Sequence, residues 1–135
     1  MILTDAGPLL ALIDRRDSNH QRCAEVAAGL LGPMLTTWPA FTEAMYLAGR
    51  EGGWAWQEVM WRWVRAASLV LSEPTPAMLA RIPALMQQFQ DLPMDLADAS
   101  LVAVADERRL QRVFTLDRDF HVYRLPDGRA FEVVP

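Results

Sequence analysis

Short apolar runs recur along this chain, and most are separated by stretches patterned as helices rather than by tight turns. Residues 1–5, 34–37, 68–72, 112–116 and 131–134 read as strands. Between them, helices are expected over residues 9–13, from Asp17 or Ser18 to about residue 31, from Pro39 to about residue 50, and over 54–66, 77–88 and 96–110. Gly32-Pro33, Gly52-Gly53, Pro74 with Pro76, Leu92-Pro93 and Pro126-Asp127-Gly128 punctuate the boundaries. Strands alternating with helical runs in this way indicate a parallel α/β sandwich. No repeat, low-complexity tract or linker interrupts it, so residues 1–135 read as one domain.

Composition narrows the chemistry. Apolar residues make up 52% of the chain and mean hydropathy is +0.05, enough for a core that needs no disulfide or structural metal. The single Cys23 cannot form an internal disulfide and suggests a reducing compartment. One Cys and two His exclude a zinc pattern. The opening residues lack a basic signal-peptide region, and no apolar stretch reaches the roughly 18–20 residues that span a bilayer. A soluble cytoplasmic protein is expected. A net charge of −4 argues against a broad basic nucleic-acid surface. It does not exclude a nuclease, because a carboxylate site raises the acidic count and is neutralised by its metals. All thirteen cations are Arg. Genomic base composition explains that bias more simply than a need for guanidinium forks.

Four acids recur at matching places. Asp5 ends the first apolar run, Glu43 lies about one turn into the helix after the second, Asp98 sits near the start of a small-residue helix, and Asp117 follows Phe114-Thr115-Leu116. If the runs are parallel strands, all four carboxylates gather at the carboxyl edge of the sheet, where open α/β folds place their ligands. Such a cluster stays ionised only around cations. Hard oxygen ligands suit Mg²⁺ or Mn²⁺, which can activate water and stabilise the leaving oxygen of a phosphodiester.

Each acid also has an ordinary structural reading. Asp5 before Ala6-Gly7 suits a helix cap, and Glu43 suits the positive end of a helix. Asp95 is best placed as an N-cap, with Asp98 at the third helical position. The helix after them is apolar nearly all round, and an acid there is costly unless paired or metal-bound. Asp95 is thus a candidate for supporting the ligands rather than joining them. Asp119 fits a turn or cap, and Thr115 could orient a carboxylate or water through its hydroxyl.

The pieces Leu3-Thr4-Asp5-Ala6-Gly7-Pro8-Leu9, Thr42-Glu43, Leu96-Ala97-Asp98-Ala99-Ser100-Leu101 and Phe114-Thr115-Leu116-Asp117-Arg118-Asp119-Phe120 together resemble the PIN-domain ribonucleases, specifically the VapC-type toxins of bacterial toxin–antitoxin pairs. They occur in that family's order and span nearly the whole chain. The resemblance implies a five-stranded parallel sheet flanked by helices in three α/β/α layers, and Mg²⁺- or Mn²⁺-dependent endonucleolytic cleavage of RNA. It carries the catalytic and metal-binding roles onto Asp5, Glu43, Asp98 and Asp117. It further implies a homodimer and an antitoxin whose helix lies in an apolar groove near the active site. Two rival readings are an RNA-processing nuclease of the same fold without an antitoxin, and a non-catalytic interaction module.

Other residues draw weaker readings. His20 is expected to cap or pack, and His121 lies near the proposed site by sequence. Cys23 has no visible activating partner. Trp54 and Trp61, like Trp56 and Trp63, are seven apart, so the four form two helical stripes. One stripe can enter the core and the other, with Met60, is expected to cover a protein interface, simple core packing being the alternative. Among Arg15, Arg16, Arg50 and Arg118, only Arg118 is near the acids by sequence.

Overall fold

The computed structural model describes residues 1–135 as one parallel sheet with helices on both faces. Strands β1 (Ile2–Thr4), β2 (Met34–Thr37), β3 (Leu69–Ser72), β4 (Arg112–Phe114) and β5 (Glu132–Val134) lie in the order β3-β2-β1-β4-β5. All four ladders are parallel, with Leu3 opposite Leu35 on one side and Val113 on the other. The first strand is therefore the central one, buried on both faces, which is why it reads as an unbroken apolar run.

Helices α1 (Ala6–Ile13), α2 (His20–Ala28) and α3 (Trp38–Arg65) are associated with one apolar cluster, built around Leu9, Phe41, Met60 and Phe114. Helices α4 (Pro76–Gln88) and α5 (Leu96–Arg108) belong to the other, around Leu85, Leu101, Val102, Phe120 and Tyr123. Every residue of α5 from Ala97 to Ala105 is buried. Small side chains make this possible, letting the helix press against the sheet while α4 covers its outer side.

Most local signals act where sequence places them; α2 departs from this, starting at His20 after Asn19, which makes no side-chain cap bond, and ending at Ala28 rather than near residue 31. Thr37 and Thr75 cap α3 and α4, each accepting from the backbone N–H three residues on, with proline in the first turn. Helix α1 starts at Ala6, earlier than expected, because Pro8 falls in its first turn where no N–H is needed. Strands β4 and β5 are shorter than their apolar runs. At Gly53 the backbone turns to φ 65°, ψ −158°, kinking α3 at the expected break. A Cβ at Gly52 would fall inside the Trp56 indole, so that position is held to glycine by packing.

The Trp-rich half of α3 belongs mainly to the core. Trp56, Trp61 and Trp63 pack against the α1–α3 cluster, with Trp61 edge-on to Phe41 at 5.2 Å. Trp54 alone of the four stands out, 65% exposed. His20 packs as expected, its Nδ1 2.7 Å from the carbonyl of Ala11, and Cys23 is fully buried. No helix is long and apolar enough to cross a membrane.

Candidate active site at the carboxyl edge of the sheet

The parallel arrangement brings the carboxyl ends of β1, β2 and β4 to one edge, and the chain leaves each through a cap or turn carrying an Asp or Thr side chain. Asp5 terminates β1 and caps α1, its Oδ1 accepting from Ala6 N at 2.7 Å. Its Oδ2 accepts from the hydroxyl of Thr115, just past β4, at 2.8 Å. The same Thr115 oxygen accepts from the backbone N–H of Asp117 at 3.0 Å. One hydroxyl thus ties the ends of β1 and β4 and fixes where Asp117 leaves the strand. The Oδ1 of Asp117 in turn accepts from Asp119 N at 2.9 Å, capping a 3₁₀ turn at Arg118–His121.

Asp95 caps α5 with its Oδ1 2.8 Å from Asp98 N, and Asp98 occupies the third helical position. The Oδ2 of Asp98 accepts from the hydroxyl of Tyr123 at 3.1 Å. Sequence reasoning missed Tyr123. It lies in an irregular segment with no periodicity to mark it, yet its ring is fully buried against Phe89 and Phe120. Glu43 projects from α3 at the exposed rim.

Asp5, Glu43, Asp98 and Asp117 line a single cleft of about 290 Å³, together with Asp95 and with Gly7, Leu10, Leu47 and Leu116. The structure brings all four sequence-chosen acids together and adds the capping Asp95 to their number. At its α3 side the cleft adjoins a broader apolar one bordered by Trp38, Tyr46 and Leu96, which shares Glu43 and Asp95 with it.

Electrostatics follow from the crowding. Only 8% of Asp5 and of Asp98 is exposed. Desolvation, then the charges of Asp95, Asp5 and Asp117, pushes Asp98 up to about 7, against the opposing hydrogen bond from Tyr123. Burial also raises Asp5, with Asp117 and Asp95 adding repulsion and Thr115 opposing it. Glu43 is raised by desolvation and by Asp5, Asp95 and Asp117. Burial and the adjacent Asp98 push the Tyr123 phenol up, so it stays a proton donor.

No three of these side chains clasp a common point closely enough to enclose an ion by themselves. The donor set nonetheless fits a hard divalent cation. It is all oxygen, it lines one cleft, and magnesium typically keeps several waters while engaging only one or two carboxylates.

No family model matches the chain. A curated relative, ribonuclease VapC26 of Mycobacterium tuberculosis, is 24% identical, with 99% of this chain and all of the relative aligned. Among solved structures, VapC20 of M. tuberculosis, a toxin that cleaves the sarcin–ricin loop, superimposes over the full length of both chains with a TM-score of 0.84 at 17% identity. A toxin–antitoxin complex from Klebsiella pneumoniae gives 0.71 at 18% identity, covering all of this chain and 97% of the other. VapBC2 of Rickettsia felis, bound to a promoter DNA fragment, gives 0.69 at 11% identity over the whole of both chains. The five-stranded α/β fold is that of the VapC structures, and the resemblance carried by the four sequence pieces is borne out.

Proposed function

We propose that this chain is a PIN-domain endoribonuclease of the VapC type, the toxin of a toxin–antitoxin pair, which hydrolyses phosphodiester bonds of cellular RNA in the cytoplasm. The observation that carries the reading is the cleft lined by Asp5, Glu43, Asp98 and Asp117 at the carboxyl edge of the sheet. The full-length likeness to a VapC ribonuclease and to VapC-containing complexes supports both the activity and a protein antitoxin as partner. The antitoxin and a second copy of the chain, forming a homodimer, are the protein partners of this reading.

These four carboxylates would hold Mg²⁺ or Mn²⁺, directly or through water, with Asp95 and Thr115 supporting them. A divalent cation there supplies a water of lowered pKa and absorbs charge developing on the phosphoryl and leaving oxygens. The chain's own contribution is preorganisation. Thr115 and Ala6 N hold both oxygens of Asp5, Asp119 N holds one oxygen of Asp117, and Tyr123 holds one of Asp98. Each of these carboxylates is therefore oriented before substrate arrives. Near neutral pH and without a cation, Asp98 retains a proton for much of the time. Positive charge in the cleft would favour its release, so ion uptake and proton release would be linked. No protein nucleophile is required, in keeping with a Cys23 that is fully buried and does not line the acid cleft.

The test is cleavage of a mixed cellular RNA pool by the purified protein, with Mn²⁺ or Mg²⁺ against EDTA, beside Asp98→Asn. Discrete metal-dependent cuts that vanish in the variant are expected. Absence of cutting by folded, antitoxin-free protein would favour a non-catalytic interaction module. Growth arrest on expression, relieved by a small adjacent gene, separates a toxin from an RNA-processing nuclease.

A further inference from the structure

Beside the acid cleft, on the β4–β5 side of the sheet edge, lies a second cleft of about 290 Å³ that shares Leu116 and Asp117 with it. Its character is opposite. Arg22 and Asn19 reach it from the start of α2, and Arg118 and His121 from the 3₁₀ turn, while only two of its nine lining residues are hydrophobic. Six arginines of this chain are paired with carboxylates: Arg16, Arg50, Arg65, Arg81, Arg112 and Arg129. Arg22 and Arg118 are not among them, and both are exposed. Arg22 makes only long hydrogen bonds, 3.5 Å to Asn19 Oδ1 and 3.4 Å to the main-chain oxygen of Pro135. The adjacent Asp117 has one oxygen engaged by Asp119 N and forms no ion pair with either guanidinium. In a chain of net charge −4, two unpaired guanidiniums therefore share one polar cleft next to the most acidic one.

We propose that this cleft is a phosphate subsite in which Arg22 and Arg118, with Asn19 and His121, hold a backbone phosphate of single-stranded RNA next to the phosphodiester in the acid cleft. The inference rests on the nuclease reading and adds to it the side of the site on which the strand is anchored. The cluster of carboxylates repels an approaching polyanion, and like charges at close range cost enough to matter. Guanidiniums one cleft away supply the compensating attraction, and their planar fork fits phosphate oxygens. A strand fixed at that phosphate enters the acid cleft in a defined register, an anchoring that holds substrate and transition state alike. A small polar cleft with little apolar lining offers no pocket for the side-chain anchors of a protein partner.

The experiment uses the full chain, a short labelled RNA of mixed sequence, EDTA to prevent cutting, and a salt series read by fluorescence anisotropy. Arg22→Ala and Arg118→Ala should each weaken binding by about tenfold or somewhat more, the lower end of the penalty for losing a hydrogen bond to a charged group. Each should also flatten the plot of log affinity against log salt by about 0.7 for every phosphate it leaves unneutralised. Arg118→Lys should keep the salt slope and recover part of the affinity. Arg62→Ala, an exposed arginine without a carboxylate partner and outside this cleft, should change neither. With Mn²⁺ and the cellular RNA pool, the cleft variants should raise KM with little change in kcat. If they bind like Arg62→Ala while the wild type cuts RNA, the subsite is overturned, the nuclease stands, and the cleft is left to an acidic protein segment. If they lose affinity and salt slope although the wild type cuts nothing, the phosphate subsite is supported and only the nuclease reading falls.

Discussion

Asp98 should be a source of instability in the metal-free protein, and its neutral variant should be the more stable one. Its carboxyl is raised from 3.8 to about 7 by burial and by Asp95, Asp5 and Asp117. A raised carboxyl binds more protons folded than unfolded, so stability falls as pH rises from about 4 to about 7 and the full penalty is present above that. At about 1.36 kcal/mol per pH unit, a rise of about 3 units sets an upper bound of about 4 kcal/mol. Relaxation and water entry reduce that bound, leaving about 2 kcal/mol. Asp98→Asn removes the charge and keeps an oxygen to accept from Tyr123. Thermal unfolding in EDTA at pH 8 should therefore show the variant melting roughly 5–10 °C above wild type. The gap should close at pH 5, where wild type carries the proton, and narrow again with excess Mn²⁺, which stabilises only the chain that binds it. An equal or lower melting temperature for the variant at pH 8, or a gap independent of pH, would refute the account of the site as repelling carboxylates.

Three further outcomes follow from other interactions. Tyr123→Phe deletes the hydrogen bond that lowers Asp98, so half-maximal Mn²⁺ binding, followed by calorimetry across a pH series, should move up by about half a unit to one unit. Thr115→Val removes the hydroxyl linking Asp5 to the backbone of Asp117; urea unfolding should show a loss of about 1–3 kcal/mol, accompanied by weaker ion binding. Gly53→Ala puts a Cβ into a backbone region, φ 65°, ψ −158°, that only glycine adopts readily, and should cost about 1–3 kcal/mol in the same assay without altering ion binding.

Most strands and helices are legible in the sequence because cap and punctuation signals agree with the apolar pattern at several boundaries: Thr37 before Pro39, Thr75 before Pro76, Gly53 at the kink. Asp5, Asp98 and Asp117 are visible because each sits at a place the backbone pattern fixes, a strand end or a buried helix. Other parts are hidden because they depend on distant segments meeting. Tyr123 reaches Asp98 from a stretch without periodicity, and Arg22 reaches the site edge from α2, far from Arg118 in sequence. The Trp pairs show the limit of spacing alone. Seven-residue repeats reveal stripes, but only the kink at Gly53 and the position of Phe41 put Trp56, Trp61 and Trp63 against the core and leave Trp54 in solvent.

The bond from Thr115 to Asp5 joins residues 110 positions apart, and that separation has a meaning in time. During synthesis β1 emerges first, but it is the central strand and must wait for β4 to complete one of its flanks. A chain still being translated carries Asp5 and Glu43 without Asp117 or the hydroxyl that orients Asp5. Such a chain holds only part of the acid cleft while it is tethered to the ribosome, itself a body of RNA. In the nuclease reading proposed above, competence arises late, after the segment beyond residue 115 has left the exit tunnel.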